Sequence, residues 1–138
     1  MLSLGIQNPT SRRAVSQLFK VARAYGATFF IVGTADYPAP EETLLFDTLE
    51  EAQRALVGQI VRINPHGKAD VLEYRVPEDA IFLTGGPETP PDGLLSVRVS
   101  TPTGEALEDA VAAAVVLHDY LFAGSGALQI AKALGLVS

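Results

Sequence analysis

Uninterrupted apolar runs recur along this chain of 138 residues, and they alternate with segments whose apolar residues recur at helical spacing. The runs occupy residues 28–33 and 80–84, strand-like segments with a charged residue lie at residues 59–63 and 95–99, and a segment at residues 2–6 alternates apolar and small residues. Continuous apolar runs of this length are typical of strands that are buried on both faces of a parallel sheet. The alternation therefore predicts an α/β fold, an open and mostly parallel sheet with helices on both faces.

Helix signals lie between and after these strands. From Arg12 to Tyr25 apolar residues recur every three or four positions, with Thr10 or Ser11 as a cap and Gly26 as a stop. Further helices are expected at residues 48–57, 105–122 and 127–134. The small residues of the third helix suit close packing against the sheet or a partner subunit. Since no repeat or linker interrupts the pattern, we expect one domain over residues 1–138.

Composition excludes several classes of protein. The sequence is 48% hydrophobic and 19% charged, which excludes an intrinsically disordered chain. The longest apolar stretch, residues 110–117, is far short of the roughly 20 residues that a membrane span needs, and no secretory signal is evident. Cysteine is absent, which excludes disulfides, thiolate zinc sites and cysteine nucleophiles. The two histidines have no metal-ligand spacing, so we expect no metal site. The absence of cysteine suits a reducing compartment, so we expect a cytoplasmic location.

Charge is distributed unevenly. The chain carries a net charge of −6, which argues against a protein that coats nucleic acid. Within residues 1–35, however, there are four basic residues and no acidic ones: Arg12, Arg13, Lys20 and Arg23. This helix face either contacts phosphate groups at one specific place or is an ordinary solvated surface.

Three turns follow predicted strands and are candidates for ligand contact, because ligands of open α/β sheets bind beyond the carboxyl ends of the strands. They lie at residues 64–67, 85–88 and 100–104. The second has two glycines that permit close approach of a ligand and a proline that stiffens it, and the third is rich in hydroxyl groups. Neither a dinucleotide nor a P-loop fingerprint is present, and no G-x-S-x-G elbow supports a serine nucleophile.

Four segments together carry a family resemblance. They are residues 22–26 (ARAYG), 81–89 (IFLTGGPET), 97–100 (VRVS) and 106–119 (ALEDAVAAAVVLHD). In this order they resemble the motifs of the SPOUT (alpha/beta-knot) methyltransferases, specifically the SpoU-like branch that methylates 2′-hydroxyl groups of tRNA or rRNA ribose. The resemblance spans nearly the whole chain.

The sequence departs from that family's pattern at its catalytic positions. The N-x-G-x-x-x-R motif of the first helix falls on Ala14, Ser16 and Lys20, and the serine and asparagine of the third motif fall on Ala106 and Glu108. The resemblance therefore implies that Lys20 takes or stabilises the proton of the ribose hydroxyl, although a lysine lacks the planar fork of an arginine.

The resemblance also implies a carboxyl-terminal trefoil knot, a homodimer in which the first and last long helices cross, and S-adenosylmethionine as the cofactor. Recognition of the cofactor would depend mainly on main-chain groups of the three turns. The residues implied are Ile63, Asn64, Thr84, Gly85, Gly86, Pro87, Glu88, Val99, Ser100, Thr101, Pro102, Ala106 and Leu107. Arg12, Arg13, Lys20 and Arg23 would bind RNA phosphates.

Three functions remain open on the sequence. The first is an S-adenosylmethionine-dependent RNA 2′-O-methyltransferase that consists of this domain alone. The second is a knot-fold protein that binds the cofactor or RNA without methyl transfer, which the changes at Ala14, Ala106 and Glu108 favour. The third is an unrelated doubly wound module that binds a nucleotide, since a fold does not fix a function.

Overall fold

The computed structural model describes residues 2–33, 38–71, 76–85 and 94–122. Their strands are β1 (Ser3–Gln7), β2 (Thr28–Val32), β3 (Leu44–Phe46), β4 (Gln59–Ile63), β5 (Ala69–Asp70), β6 (Ala80–Gly85) and β7 (Leu95–Arg98). Their helices are α1 (Arg12–Ala24), α2 (Leu49–Leu56) and α3 (Asp109–Phe122). None of these described helices combines the length and the apolar character that crossing a bilayer requires.

The strands form one sheet in the order β3-β2-β1-β6-β4-β7-β5, and each described pairing is parallel. The predicted open, parallel sheet is thus confirmed. Because parallel strands all end at the same edge, the carboxyl ends of β6, β4 and β7 lie side by side. That edge is where open α/β sheets bind their ligands.

Helices cover both faces of the sheet, as the apolar runs predict. On one face Leu18 of α1 and Leu117 of α3 are fully buried in a cluster that includes Val61 of β4. On the other face Ala52 of α2 packs in a second cluster with Phe30 of β2. In β2 and β6 alternate residues face opposite clusters, and this explains why these two strands are apolar along almost their whole length.

Local capping fixes where the first two helices begin and end. The Ser11 hydroxyl accepts a hydrogen bond from the amide of Ala14 at 3.3 Å, and Gly26 follows α1 with a φ of 69°. The Thr48 hydroxyl accepts from the amide of Glu51 at 3.2 Å at the start of α2. These contacts satisfy amides that have no partner within the helix, and they confirm the predicted boundaries.

Two sequence predictions are wrong in this region of the fold. The long helix begins at Asp109 and not at residue 105, because residues 101–108 form a loop in which the Thr101 hydroxyl donates to the carbonyl oxygen of Glu105 at 2.8 Å. Strand β3 was not predicted, since its three residues lie at the edge of the sheet and two of them are exposed. An exposed edge strand lacks the burial that makes an apolar run recognisable.

The predicted last helix at residues 127–134 lies outside the described residues. The knot that the family resemblance implies would involve the carboxyl-terminal part of the chain, of which residues 123–138 are likewise outside the described ranges. The knot therefore stays a prediction.

Candidate cofactor-binding site

A cavity of about 460 Å³ lies beyond the carboxyl ends of β4 and β7, on the face of the sheet that α3 covers. Its wall is formed by the turn after β4, the loop after β7 and the first turn of α3. The lining residues are Ile63, Asn64, Pro65, His66, Arg98, Val99, Ser100, Thr101, Gly104, Glu105, Ala106, Leu107, Asp109 and Ala112. Two of the three predicted turns thus meet in one cavity.

The turn after β4 is held firmly against β7. The amide of Asn64 donates to the carbonyl oxygen of Val97 at 3.0 Å, and the Asn64 side-chain oxygen accepts from the amide of His66 at 2.7 Å. The amide of Gly67 closes the turn on the Asn64 carbonyl at 2.9 Å. A Cβ at Gly67 would lie 2.5 Å from the carbonyl carbon of Val97, so only glycine permits this approach.

Arg98 connects the two walls of the cavity. Its Nη1 donates to the carbonyl oxygen of Gly67 at 2.9 Å, and its Nε donates to the hydroxyl of Ser100 at 3.3 Å. The loop after β7 is also closed by the amide of Gly104, which donates to the carbonyl oxygen of Thr101 at 3.1 Å. Both walls are therefore positioned mainly by main-chain groups and by one guanidinium.

Charged and titratable side chains on the cavity wall were not among the predicted site residues. They are His66, Arg98, Glu105 and Asp109. Partial burial raises the pKa of the Asp109 carboxyl group above its usual value. The predicted helix over residues 105–122 concealed both carboxylates, because it placed Glu105 in a helix and not in the loop, and it placed Asp109 inside the helix and not at its start. One sequence signal could have indicated this loop: Gly104, a residue type that is typical of turns and loops.

Several predicted cofactor residues line the cavity: Ile63, Asn64, Val99, Ser100, Thr101, Ala106 and Leu107. Thr84, Gly85 and Pro102 are not among the lining residues. Thr84 is fully buried, and its hydroxyl donates to the carbonyl oxygen of Gly5 at 3.2 Å within the sheet. Gly86, Pro87 and Glu88 lie outside the described residues. The cofactor role of all these residues stays a prediction.

The predicted RNA-binding residues share the exposed side of α1. Arg12, Arg13, Lys20 and Arg23 are all exposed, whereas Val15, Leu18 and Ala22 face the core. The guanidinium of Arg23 lies over the ring of Phe19 at 5.8 Å from its centroid. None of the four basic residues lines the cavity. The structure thus separates the predicted catalytic Lys20 from the predicted cofactor residues that line the cavity.

Arg62 of β4 is an unexpected buried cation. It is 1% exposed, and it follows Ile60 at the alternate strand position, which places it on the face that α2 covers. Its Nη1 donates to the carbonyl oxygen of Gly85 at 3.4 Å, and its Nε has no hydrogen-bond partner among the described residues. Burial lowers the pKa of Arg62. A buried guanidinium with one hydrogen bond to the described part of the chain carries a desolvation penalty.

We expect Arg62→Met to leave the free energy of unfolding unchanged or to raise it by up to about 4 kcal/mol, because methionine fills a similar volume without a buried charge. Urea unfolding monitored by circular dichroism measures this. Arg62→Ala is the control, since it removes the charge together with the packing of the stem and should unfold more easily than Arg62→Met. A clear loss of stability in Arg62→Met would show that the charge is well compensated in the folded chain.

The order and pairing of these elements form a fold that is shared with solved structures of SpoU-type RNA methyltransferases. Three solved structures show this. The first is a structure from work on the 2-OH methylation of C/U34 on tRNA, with a TM-score of 0.73 and 16% identity. The match covers 91% of this chain and 97% of the chain in that structure. The second is the SpoU methyltransferase AviRb from Streptomyces viridochromogenes in complex with AdoMet, with a TM-score of 0.68 and 17% identity. The match covers 88% of this chain and 57% of the AviRb chain.

The third structure, an RNA 2′-O ribose methyltransferase, has a TM-score of 0.67 at 18% identity and covers 87% of this chain and 55% of its own. No family model matches the sequence, and no curated protein matches it either. At such low identities the likeness establishes the fold, and the chemistry has to be argued from the site itself.

Proposed function

We propose that this chain is an S-adenosylmethionine-dependent RNA methyltransferase that modifies ribose 2′-hydroxyl groups of tRNA or rRNA. The observation that supports this most is the cavity at the carboxyl edge of the sheet, whose lining includes residues of two segments that resemble the family's motifs, residues 97–100 and 106–119. The likeness of the fold to methyltransferases that act on RNA favours this function over an unrelated nucleotide-binding module.

The residues of the cavity fit the cofactor. A volume of about 460 Å³ lies within the range of roughly 300–1,000 Å³ that is typical of small-molecule sites. Ile63, Val99 and Leu107 supply apolar wall for the adenine ring, and the loop after β7 supplies main-chain groups and the hydroxyls of Ser100 and Thr101. When bound, the cofactor supplies an electrophilic methyl group.

The chain's own part in the reaction is positioning and proton transfer. The exposed face of α1 would hold RNA phosphates through Arg12, Arg13 and Arg23 and thereby fix the ribose. Lys20 would take or stabilise the proton that leaves the 2′-hydroxyl as its oxygen is methylated. Since Lys20 does not line the cavity of its own chain, a second copy would bring the two halves of the site together.

A homodimer in which α1 and α3 cross belongs to this proposal. Helix α3 has apolar residues on its exposed side as well as its buried side: Val111, Val115 and Phe122 are 46%, 38% and 48% exposed. Together with His118 they recur at spacings of four, three and four residues, which forms one stripe along the helix. A stripe of this kind suits the same stripe of a second copy across a two-fold axis.

We also infer a single domain and, from the absence of cysteine, a cytoplasmic location.

Calorimetry with S-adenosylmethionine, followed by transfer of a labelled methyl group into bulk tRNA and rRNA, tests the proposed function. We expect binding in a one-to-one ratio per chain and incorporation of label into ribose. Absence of binding would contradict the proposal at its first step. Binding without transfer would instead support a protein that holds the cofactor or RNA but performs no chemistry, the function that Ala14, Ala106 and Glu108 at catalytic positions favour.

A further inference from the structure

The guanidinium of Arg62 is almost without partners in the part of the chain that the structure describes. Arg62 is the one charged side chain among the buried residues of these ranges, and it is 1% exposed. Its hydrogen bond to the carbonyl oxygen of Gly85 is the only one that it makes to a described residue, although a guanidinium has several N–H donors. Arg62 therefore adds little to the stability of the fold. Residues that break the rules of packing in this way are typical of functional sites.

A second buried polar atom without a partner lies on the other side of β6. Gln7 ends β1 and pairs with Gly85, and its Oε1 is buried with no hydrogen-bond partner among the described residues. Because Gln7 alternates with Ile6, which belongs to the cluster of α1 and α3, it faces the same side of the sheet as Arg62. Thr43 has the only other atom of this kind in the described ranges. Two of the three thus flank the carboxyl end of β6.

The carboxyl end of β6 is held from both neighbouring strands. Gly85 has a φ of 75°, and a Cβ there would lie 2.6 Å from the carbonyl oxygen of Gln7, so the main chain of β1 approaches it closely. From the side of β4, Arg62 holds the Gly85 carbonyl. A peptide unit is planar, so a carbonyl that is fixed in direction also orients the N–H group of the same unit. Arg62 is thereby placed to set the direction in which the main chain leaves β6.

We propose that Arg62 is a positioning residue, whose guanidinium holds the carboxyl end of β6 so that the turn that begins at Gly85 can bind the cofactor through its main chain. This inference rests on the proposed function, in which the turn at residues 85–88 contacts S-adenosylmethionine. Arg62 acts through Gly85 and does not touch the cofactor, since it is buried and does not line the cavity. A charged donor suits this task, because it holds a carbonyl more strongly than a neutral donor does.

Calorimetry with S-adenosylmethionine and urea unfolding of the full chain test this role together. We expect Arg62→Met to weaken binding of the cofactor roughly tenfold while the unfolding midpoint is unchanged or higher. Arg62→Lys should recover part of the affinity, since it restores a charged donor at the same place. Ile60→Met is the matched control, because it makes the same kind of change two residues earlier on the same face of β4. It should leave the affinity unchanged.

Amide hydrogen exchange without the cofactor gives a second measurement. Arg62→Met should speed exchange in residues 85–88 by about fivefold or more and leave residues 64–67 unchanged, because only the first turn loses its hold. Faster exchange in the Arg62→Met variant would support this positioning of β6 even if the wild-type chain bound no cofactor, a result that would contradict the proposed function.

Two results would overturn the inference and leave the proposed function intact. The first is full cofactor affinity in Arg62→Met when the wild-type chain binds the cofactor, since the hold on Gly85 would then not matter to the site. The second is a loss of affinity that occurs together with a clear loss of stability, because Arg62 would then be an ordinary part of the core.

Discussion

Replacement of Lys20 by alanine is expected to lower kcat for methyl transfer by about a hundredfold or more at saturating cofactor and RNA. The reason is that the 2′-hydroxyl is a poor nucleophile until its proton is removed, and the resemblance of the sequence to the family places Lys20 at the position of the catalytic arginine. The side chain is exposed on α1, so its removal should leave the free energy of unfolding almost unchanged. Single-turnover transfer of a labelled methyl group measures the chemical step directly.

Arg13→Ala is the control for this prediction, because it removes another exposed cation from the same helix. It should raise KM for RNA and weaken its salt dependence while leaving kcat nearly unchanged. Lys20→Arg should restore part of the rate, since it restores a cation at the same place. A Lys20→Ala variant that lost only RNA affinity would assign Lys20 to phosphate binding and remove it from the chemistry.

Replacement of Gly67 by alanine is expected to cost about 1–3 kcal/mol in the free energy of unfolding and to weaken cofactor binding by about tenfold or more. The new Cβ would lie 2.5 Å from the Val97 carbonyl carbon and 2.9 Å from the amide nitrogen of Arg98. These are main-chain atoms that cannot rotate away, so the turn would have to separate from β7. That separation would break the contact between the Gly67 carbonyl and Arg98 that positions both cavity walls.

Gly26→Ala provides the comparison. Gly26 has a φ of 69°, yet nothing lies within 4 Å of its Cβ position and it is remote in sequence from the cavity segments. It should therefore cost about 1 kcal/mol for the left-handed backbone and leave cofactor affinity unchanged. Calorimetry and thermal unfolding of both variants test the pair. Full cofactor affinity in Gly67→Ala would show that the approach of the turn to β7 does not shape the site.

The core of the fold could be predicted because the apolar sequence of its central strands indicates that they are buried. Thr28–Val32 and Ala80–Gly85 are apolar without interruption since each is covered on both faces, and the caps at Ser11 and Thr48 depend only on neighbouring residues. Strand β3 could not be recognised in this way, because it lies at an exposed edge. Local signals therefore predict central elements and miss a short strand at an exposed edge of the sheet.

The site was harder to predict, because its geometry depends on the order of the strands in the sheet and on tertiary packing. That the turn after β4 meets the loop after β7 follows from the sheet order β6-β4-β7, which no single segment encodes. Arg98 looked like one charged residue in a strand until the structure placed its guanidinium between the two walls. Arg62 likewise interrupts an apolar run, and only the tertiary packing shows that its charge is buried.

A crystal structure of the chain with S-adenosylmethionine tests the central claim most directly. We expect the adenosine to occupy the cavity between the turn after β4 and the loop after β7, with its polar atoms on main-chain groups of residues 64–66 and 99–104. Cofactor bound at any other place on the chain, or held in the cavity without those main-chain contacts, would contradict the account.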